Sequence, residues 1–208
     1  MAAFDSLATP AILVDRRQLD ANIRSMQAAC DAAGVELRPH IKTHKMVEVA
    51  RRQLGAGAKG LTCAKVGEAE AMLPSGVTEV FVANSLVGRG LAPRLAALGE
   101  RLQDLRVGLT SEAHFEPLAD LAAATGRRLG VMLAVDTGLG REGARSDDAA
   151  LRIAARLARH PHLELRGLYC HEGHFYGLPR EQVPAALEAM LERLHRIRQG
   201  IDPRLALW

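Results

Sequence analysis

Hydrophobic residues recur along the chain in short runs that alternate with longer amphipathic stretches. Seven short runs have the length and apolar content of strands, namely residues 10–14, 37–42, 60–64, 79–83, 106–109, 129–135 and 163–170. Four stretches between them have helical spacing and boundary residues such as Ser111, Ser146 and Pro179, namely residues 20–33, 112–125, 147–159 and 180–199. A strand followed by a helix about every 20–30 residues is typical of a parallel β/α protein.

The pattern is compatible with two arrangements of the sheet, an open doubly wound sheet and a closed (β/α)₈ barrel. Without the first run, the sequence predicts six strand–helix units. A complete barrel usually takes around 250 residues, whereas this chain has 208. A barrel would therefore be two units short, with residues 201–208 as the weak beginning of another strand.

Composition narrows the function classes. Hydrophobic residues make up 48% of the chain and charged residues 25%, which excludes a disordered or collagen-like chain. The net charge of +3 is modest and aromatic residues are only 3%, so we expect no nucleic-acid partner. Three cysteines without a CxxC pair favour a reducing, cytoplasmic setting. The first ten residues lack a signal-peptide pattern, and no apolar stretch reaches the length of a membrane span.

The most basic strand-like run is residues 38–45, which read RPHIKTHK. In a strand, alternate residues from Arg38 to His44 would share one face, with His40 and Lys42 between them. A central parallel strand is normally apolar on both faces, so these groups indicate either a wet functional site or a solvated edge strand. Crowded positive charge lowers the pKa of a lysine amine and makes it a nucleophile toward carbonyl groups.

Residues 136–143, DTGLGREG, contain the spacing of a dinucleotide-binding loop after an apolar strand. In that fingerprint the third glycine lies inside the following helix, whereas here the helix cap Ser146 follows all three glycines. The segment is better interpreted as a tight loop that presents Asp136 and Arg141 at the carboxyl end of a strand, where β/α proteins carry their chemistry. A capping loop with a surface ion pair is the alternative.

Residues 169–176, YCHEGHFY, follow the last strand-like run. The spacing of His171 and His174 is not the HExxH that places two imidazoles on one helical face, so we predict no metal site. An imidazole and phenols at a strand end suit a planar ligand, although a partly buried aromatic cluster would have the same pattern. The other histidines, His114, His160, His162 and His195, are predicted to lie on ordinary surfaces.

The runs 9–15, TPAILVD, and 38–45 resemble the D-threonine aldolase and D-serine dehydratase group of fold-type III pyridoxal-phosphate enzymes, which are related to the alanine racemase N-terminal domain. Residues 60–70, 136–141 and 167–171 resemble a strand with its helix, a strand-end loop and a further strand of that group. The resemblance covers about residues 8–200. It implies a TIM-barrel-like (β/α) domain over residues 1–208 with about six of eight units.

The resemblance also implies roles for five residues. Lys42 would form the imine that holds pyridoxal 5′-phosphate, and Arg141 would steady the lysine or the phenolic oxygen of the cofactor. His171 would lie against the pyridine ring, Tyr169 would meet its edge, and His40 would complete the cofactor-binding set. Lys42, His171 and Arg141 would be the catalytic residues.

The implied activity is that of a lyase for D-amino acids with a β-hydroxyl group, either an aldolase or a dehydratase. Racemisation, non-catalytic cofactor binding and an inactive fragment stay open as alternatives. Relatives carry two further barrel strands, a phosphate-binding loop and a C-terminal β-domain that holds a divalent metal, and this chain is expected to lack them. The full-length family implies a homodimer.

Overall fold

The computed structural model describes Phe4 and residues 7–201. Among these residues, five strands form one parallel sheet: β1 (Leu61–Cys63), β2 (Glu79–Val82), β3 (Asp104–Leu109), β4 (Leu129–Ala134) and β5 (Leu163–Tyr169). The α-helices are α1 (Arg16–Ala32), α2 (Val47–Gly55), α3 (Val66–Met72), α4 (Ala92–Arg101), α5 (Phe115–Thr125), α6 (Asp147–Leu157) and α7 (Val183–Gly200). None of these helices is long and apolar enough to cross a bilayer.

The strands lie side by side in chain order, each paired with the next. A doubly wound sheet would reverse its order at a switch point, whereas this order with a helix after every strand is that of a TIM-barrel-like fold. Alternate residues of β4 show the two faces: Leu129, Val131 and Leu133 are buried in the core, and Gly130 and Met132 are only half-buried. The predicted barrel-like fold is therefore confirmed.

The basic run around residue 40 differs from its prediction as a strand. His40 makes a single parallel bridge to Thr62, and residues 41–44 form a turn. The backbone amide of Lys45 donates to the carbonyl of Ile41 at 2.9 Å, which closes this turn. The predicted common face of residues 38–44 is therefore wrong. Because one of six predicted strands is reduced to a bridge, the sheet has five strands.

Arg38 lies at the opposite end of the sheet from the strand ends predicted to carry chemistry. Its guanidinium donates to Glu79 at 2.8 Å, and Glu79 is the first residue of β2. Lys59 pairs with the same carboxylate at 3.2 Å. Arg38 thus belongs to an ion-pair cluster at the amino ends of the strands.

Two terminal predictions have different outcomes. Residues 10–14 form no strand, and the side chain of Ile12 is 95% exposed. Of the weak strand predicted for residues 201–208, only Ile201 lies within the described residues.

Helix starts follow the predicted caps closely. The Ser146 hydroxyl accepts from the amide of Ala149 at the start of α6, and Ser111 caps a 3₁₀ turn that leads into α5. The first helix begins earlier than predicted, because the Asp15 carboxylate accepts from the amides of Arg17 and Gln18. The region after Pro179 opens with a 3₁₀ turn, so α7 begins only at Val183.

Candidate active site

A cavity of about 570 Å³ lies at the carboxyl ends of the strands. The structure brings all five predicted site residues to its wall: His40, Lys42, Arg141, Tyr169 and His171. The remaining lining residues are Thr62, Ala64, Phe81, Ala83, Asn84, Glu142 and Cys170. Residues from separate parts of the chain meet there because the carboxyl ends of parallel strands share one edge of the sheet.

Lys42 reaches the cavity from the turn that follows the His40 bridge. Ile41 anchors this turn, because its side chain is fully buried in the core and its amide donates to the Thr62 carbonyl at 2.9 Å. The amide of Lys42 donates to Nδ1 of His40 at 3.3 Å. The lysine is therefore an exposed side chain on a firmly anchored backbone.

His40 lies beside Lys42 in the cavity wall. Partial burial, followed by the positive charge of Lys42, lowers the pKa of His40 below its ordinary value. The imidazole is consequently neutral at physiological pH, in keeping with its role as acceptor for the amide of Lys42.

Tyr169 places a phenol in the cavity wall, at the end of β5. Its ring packs edge-on against Phe81 with centroids 5.1 Å apart. Its hydroxyl is buried without a hydrogen-bond partner among the described residues, and burial raises its pKa. A Cβ on Gly108 would lie 2.7 Å from this oxygen, so glycine at that position makes room for the phenol. The orphaned hydroxyl is what a site built for a polar ligand would contain.

Arg141 extends from the loop between β4 and α6. Asp136 organises this loop, because its Oδ1 accepts from the amides of Gly138 and Gly140 at 3.0 Å each. Burial opposes the charge of Asp136, but these two hydrogen bonds together with the positive charges of Arg145 and Arg193 outweigh burial and lower the pKa of Asp136. Arg141 pairs with Glu142 at 2.8 Å in the cavity wall, whereas the Asp136 carboxylate binds its own loop through Oδ1.

Arg193 of α7 fastens the same loop from outside. Its Nε donates to Asp147 at 2.8 Å, and its terminal nitrogens reach the carbonyls of Asp136 and Ala144. One guanidinium thus joins the beginning of the loop, its end and the first turn of α6.

The two histidines of residues 169–176 lie in different environments. His171 lines the cavity, whereas His174 packs against Phe175 with ring centroids 4.6 Å apart and lies beneath Gly138. Cys170 also lines the cavity, and burial raises the pKa of its thiol to about 11, so the thiol is protonated at neutral pH. The described residues contain no cluster of three or more side chains suited to a metal ion.

Sequence reasoning missed two features of this region. Phe81 and Glu142 line the cavity. The alternation of residues along β2 could have predicted Phe81, and the position next to Arg141 could have predicted Glu142.

The prediction of a surface position for His114 is wrong: the ring is buried, with Nε2 2.8 Å from the carbonyl of Leu86. Asn84, which follows β2, also lines the cavity.

The turn that carries Lys42 (residues 41–45) and the loop that carries Arg141 (residues 135–146) meet at a strand-end cavity of a parallel β/α-barrel-like domain, which is the place where such domains carry their active sites. The chain belongs to the alanine racemase N-terminal domain family, whose model matches residues 14–207.

Individual relatives point to a narrower group. The chain is 36% identical to a D-threonine aldolase of Arthrobacter sp. over 168 residues, which are 79% of this chain and 43% of that protein. It is 36% identical to the D-threo-3-hydroxyaspartate dehydratase of Delftia sp. strain HT23 over 189 residues, 90% of this chain and 49% of the relative. The crystal structure of D-threonine aldolase from Filomicrobium marinum matches with a TM-score of 0.78 and 30% identity, covering 93% of this chain and 51% of that one. The chain spans about half the length of the curated relatives it matches.

Proposed function

We propose that this chain is the cofactor-binding β/α domain of a pyridoxal-phosphate-dependent lyase for D-amino acids that carry a β-hydroxyl group. The observation that carries the proposal is the meeting of Lys42, Arg141, Tyr169 and His171 around one cavity at the carboxyl ends of the strands. The names of the relatives support the substrate class, since threonine and 3-hydroxyaspartate both have a hydroxyl on Cβ.

The residues present fit the cofactor. Lys42 supplies the primary amine that an aldehyde requires, and the cationic Arg141 suits an anionic oxygen on the ring. The orphaned hydroxyl of Tyr169 and the imidazole of His171 suit the edge and the face of a planar heterocycle. A volume of about 570 Å³ lies within the usual range for a cofactor site.

When bound, the cofactor supplies an electron-poor ring that accepts charge as a bond at Cα or Cβ of an amino acid breaks. The chain's own residues would then manage protons and charge. Lys42 would accept and return a proton at Nζ, and Arg141, held by Glu142 at 2.8 Å, would keep a fixed positive charge beside it. His40 would stay neutral because burial and Lys42 lower its pKa.

Other parts of the proposal rest on the family resemblance. Aldol cleavage would give glycine and an aldehyde, and loss of the hydroxyl would give a keto acid and ammonia. We place a divalent metal for the β-hydroxyl outside the described residues, and we propose a homodimer for the full-length enzyme. The free cysteines support a cytoplasmic location.

Trapping of a cofactor adduct tests the central claim. The protein is incubated with pyridoxal 5′-phosphate, reduced with borohydride and mapped by peptide mass spectrometry. We expect an adduct at Lys42 and a visible absorbance band, both lost in Lys42→Ala. Lys59→Ala is the matched control, because Lys59 is an ion-paired lysine at the opposite end of the sheet. Wild-type protein without an adduct at Lys42 would refute the proposal.

Turnover assays separate lyase activity from simple binding. D-Threonine, D-serine and D-alanine are supplied to the loaded protein, and aldehyde, keto acid and L-alanine are measured. Cleavage or dehydration of a β-hydroxy substrate supports the lyase. An adduct without any turnover favours the second candidate, a non-catalytic cofactor binder.

A further inference from the structure

Glu68 is a buried carboxylate next to the cavity that has no part in the proposed chemistry. Its side chain is 8% exposed and lies in the first turn of α3. Burial opposes its charge, but the hydrogen bond from the amide of Ala64 and the ammonium group of Lys45 outweigh burial and lower its pKa. Glu68 is therefore a buried anion.

Each oxygen of this carboxylate binds a different part of the site. Oε2 accepts from the amide of Ala64 at 2.7 Å, and Ala64 lines the cavity at the end of β1. Oε1 lies 3.1 Å from Nζ of Lys45. The backbone amide of Lys45 closes the turn that carries Lys42. Glu68 thus bridges the end of β1 and the lysine turn.

Lys45 has an unusual backbone conformation. Its φ is +51°, and it is the only non-glycine residue with a positive φ in the part of the chain that the structure describes. Side chains other than glycine occupy this left-handed region at a cost, so an interaction must hold Lys45 there. The hydrogen bond from its amide to the carbonyl of Ile41 holds the backbone of Lys45, and the ion pair with Glu68 holds its side chain.

We propose that Glu68 is a positioning residue, which holds Lys45 in its left-handed conformation so that the turn presents Lys42 to the cavity. This inference rests on the proposed function. Glu68 would act only through the direction in which the amine of Lys42 points. It would not itself contact the cofactor, as the catalytic residues would. Loss of Glu68 should therefore reduce the reactivity of Lys42 without unfolding the chain.

The test measures the adduct at Lys42 relative to the adduct at Lys59 in the same molecule. Protein is exposed briefly to pyridoxal 5′-phosphate and reduced with borohydride, and both peptides are quantified, with Lys42 and Lys45 adducts resolved by fragmentation. The exposed Lys59 serves as an internal standard. Glu70→Gln is the matched control, since Glu70 lies on the same helix and pairs with Arg94 at the surface.

We expect Glu68→Gln to lower the Lys42 to Lys59 ratio by about tenfold, the population change that corresponds to the left-handed penalty. Glu70→Gln should leave the ratio at the wild-type value. Glycine adopts positive φ freely, so Lys45→Gly added to Glu68→Gln should restore most of the ratio. Equal ratios in Glu68→Gln and Glu70→Gln, or no restoration by glycine, would overturn the inference.

A second pair of variants keeps the inference testable if Glu68→Gln does not fold. Lys45→Ala and Lys45→Gly both remove the ammonium group and retain Glu68, but only glycine tolerates the conformation. Lys45→Ala should lower the ratio well below that of Lys45→Gly, and equal ratios would contradict the proposal. Wild-type protein that labels Lys42 no better than Lys59 would instead refute the proposed function itself.

Discussion

Alanine at position 108 should displace the phenol of Tyr169, which lines the cavity. Gly108 lies in β3, and a Cβ there would stand 2.7 Å from the hydroxyl oxygen of Tyr169 and 3.3 Å from its Cζ. Ordinary contact begins at 3.4 Å, so the hydroxyl must retreat by about 0.7 Å into a close-packed wall.

Overpacking of this kind costs about 1–3 kcal/mol, and we expect Gly108→Ala to lower the free energy of unfolding by about 2 kcal/mol. At this chain length the melting temperature should fall by about 2–4 °C for each kcal/mol. Tyr169→Phe removes the clashing oxygen, which belongs to a hydroxyl without a hydrogen-bond partner among the described residues. When Tyr169→Phe is already present, the alanine should therefore cost about 1–2 kcal/mol less, as a coupling energy between touching residues.

Urea unfolding of the four variants in a double-mutant cycle provides the measurement. Gly55→Ala is the control, because no atom lies within 4 Å of its added Cβ in α2, and it should be neutral or slightly stabilising. Gly108→Ala should also slow the formation of the Lys42 adduct, since the displaced phenol belongs to the cavity wall. Additive costs for Gly108→Ala and Tyr169→Phe would show that the predicted contact does not exist.

Three further predictions concern the loop and the lysine turn. Gly143→Ala should lower the free energy of unfolding by about 3 kcal/mol, because φ is +104° and the added Cβ would lie 2.5 Å from a backbone nitrogen. In Gly140→Ala the added Cβ meets no atom within 4 Å, so the loss should be only about 1 kcal/mol. Equal urea midpoints for the two variants would contradict this. Arg193→Met loses hydrogen bonds to two loop carbonyls and one carboxylate, and urea unfolding should show a loss of about 2 kcal/mol; an unchanged midpoint would mean that this clamp is dispensable. Burial lowers the pKa of His44, whose Nδ1 accepts from the amide of Met46 at 3.0 Å. The unfolded chain therefore takes up the proton first, and stability falls as the pH drops below about 6.5; His44→Asn should lose less stability than wild type between pH 7 and pH 5.

The predictable part of the site followed from one geometric rule. Lys42, Arg141 and His171 are far apart in sequence, but Lys42 ends one strand-like run and the other two residues follow such runs, and parallel strands bring their carboxyl ends to one edge. Local patterns therefore sufficed to place these residues in the same cavity. The roles of these residues came only from the resemblance to a family, because spacing alone does not specify a cofactor.

Two of the failures depend on a partner distant in sequence, and the third depends on the burial of one side chain in the core. Alternation over residues 38–44 predicted a strand, but Ile41 is buried in the core and a hydrogen bond from Lys45 closes a turn. Glu79 draws Arg38 to the other end of the sheet. His114 resembled a surface residue, yet its acceptor is the carbonyl of Leu86, 28 positions away. No local pattern reveals such partners.

The clamp formed by Arg193 has a consequence for the order of events during synthesis. Asp136, whose carbonyl it binds, lies 57 positions earlier in the chain. A growing polypeptide therefore carries Lys42 and the five described strands before the residue that secures the arginine loop has been made. Until α7 emerges and docks, the loop that carries Arg141 lacks this clamp, so this part of the cavity wall is fixed only after the strands around it have been synthesised.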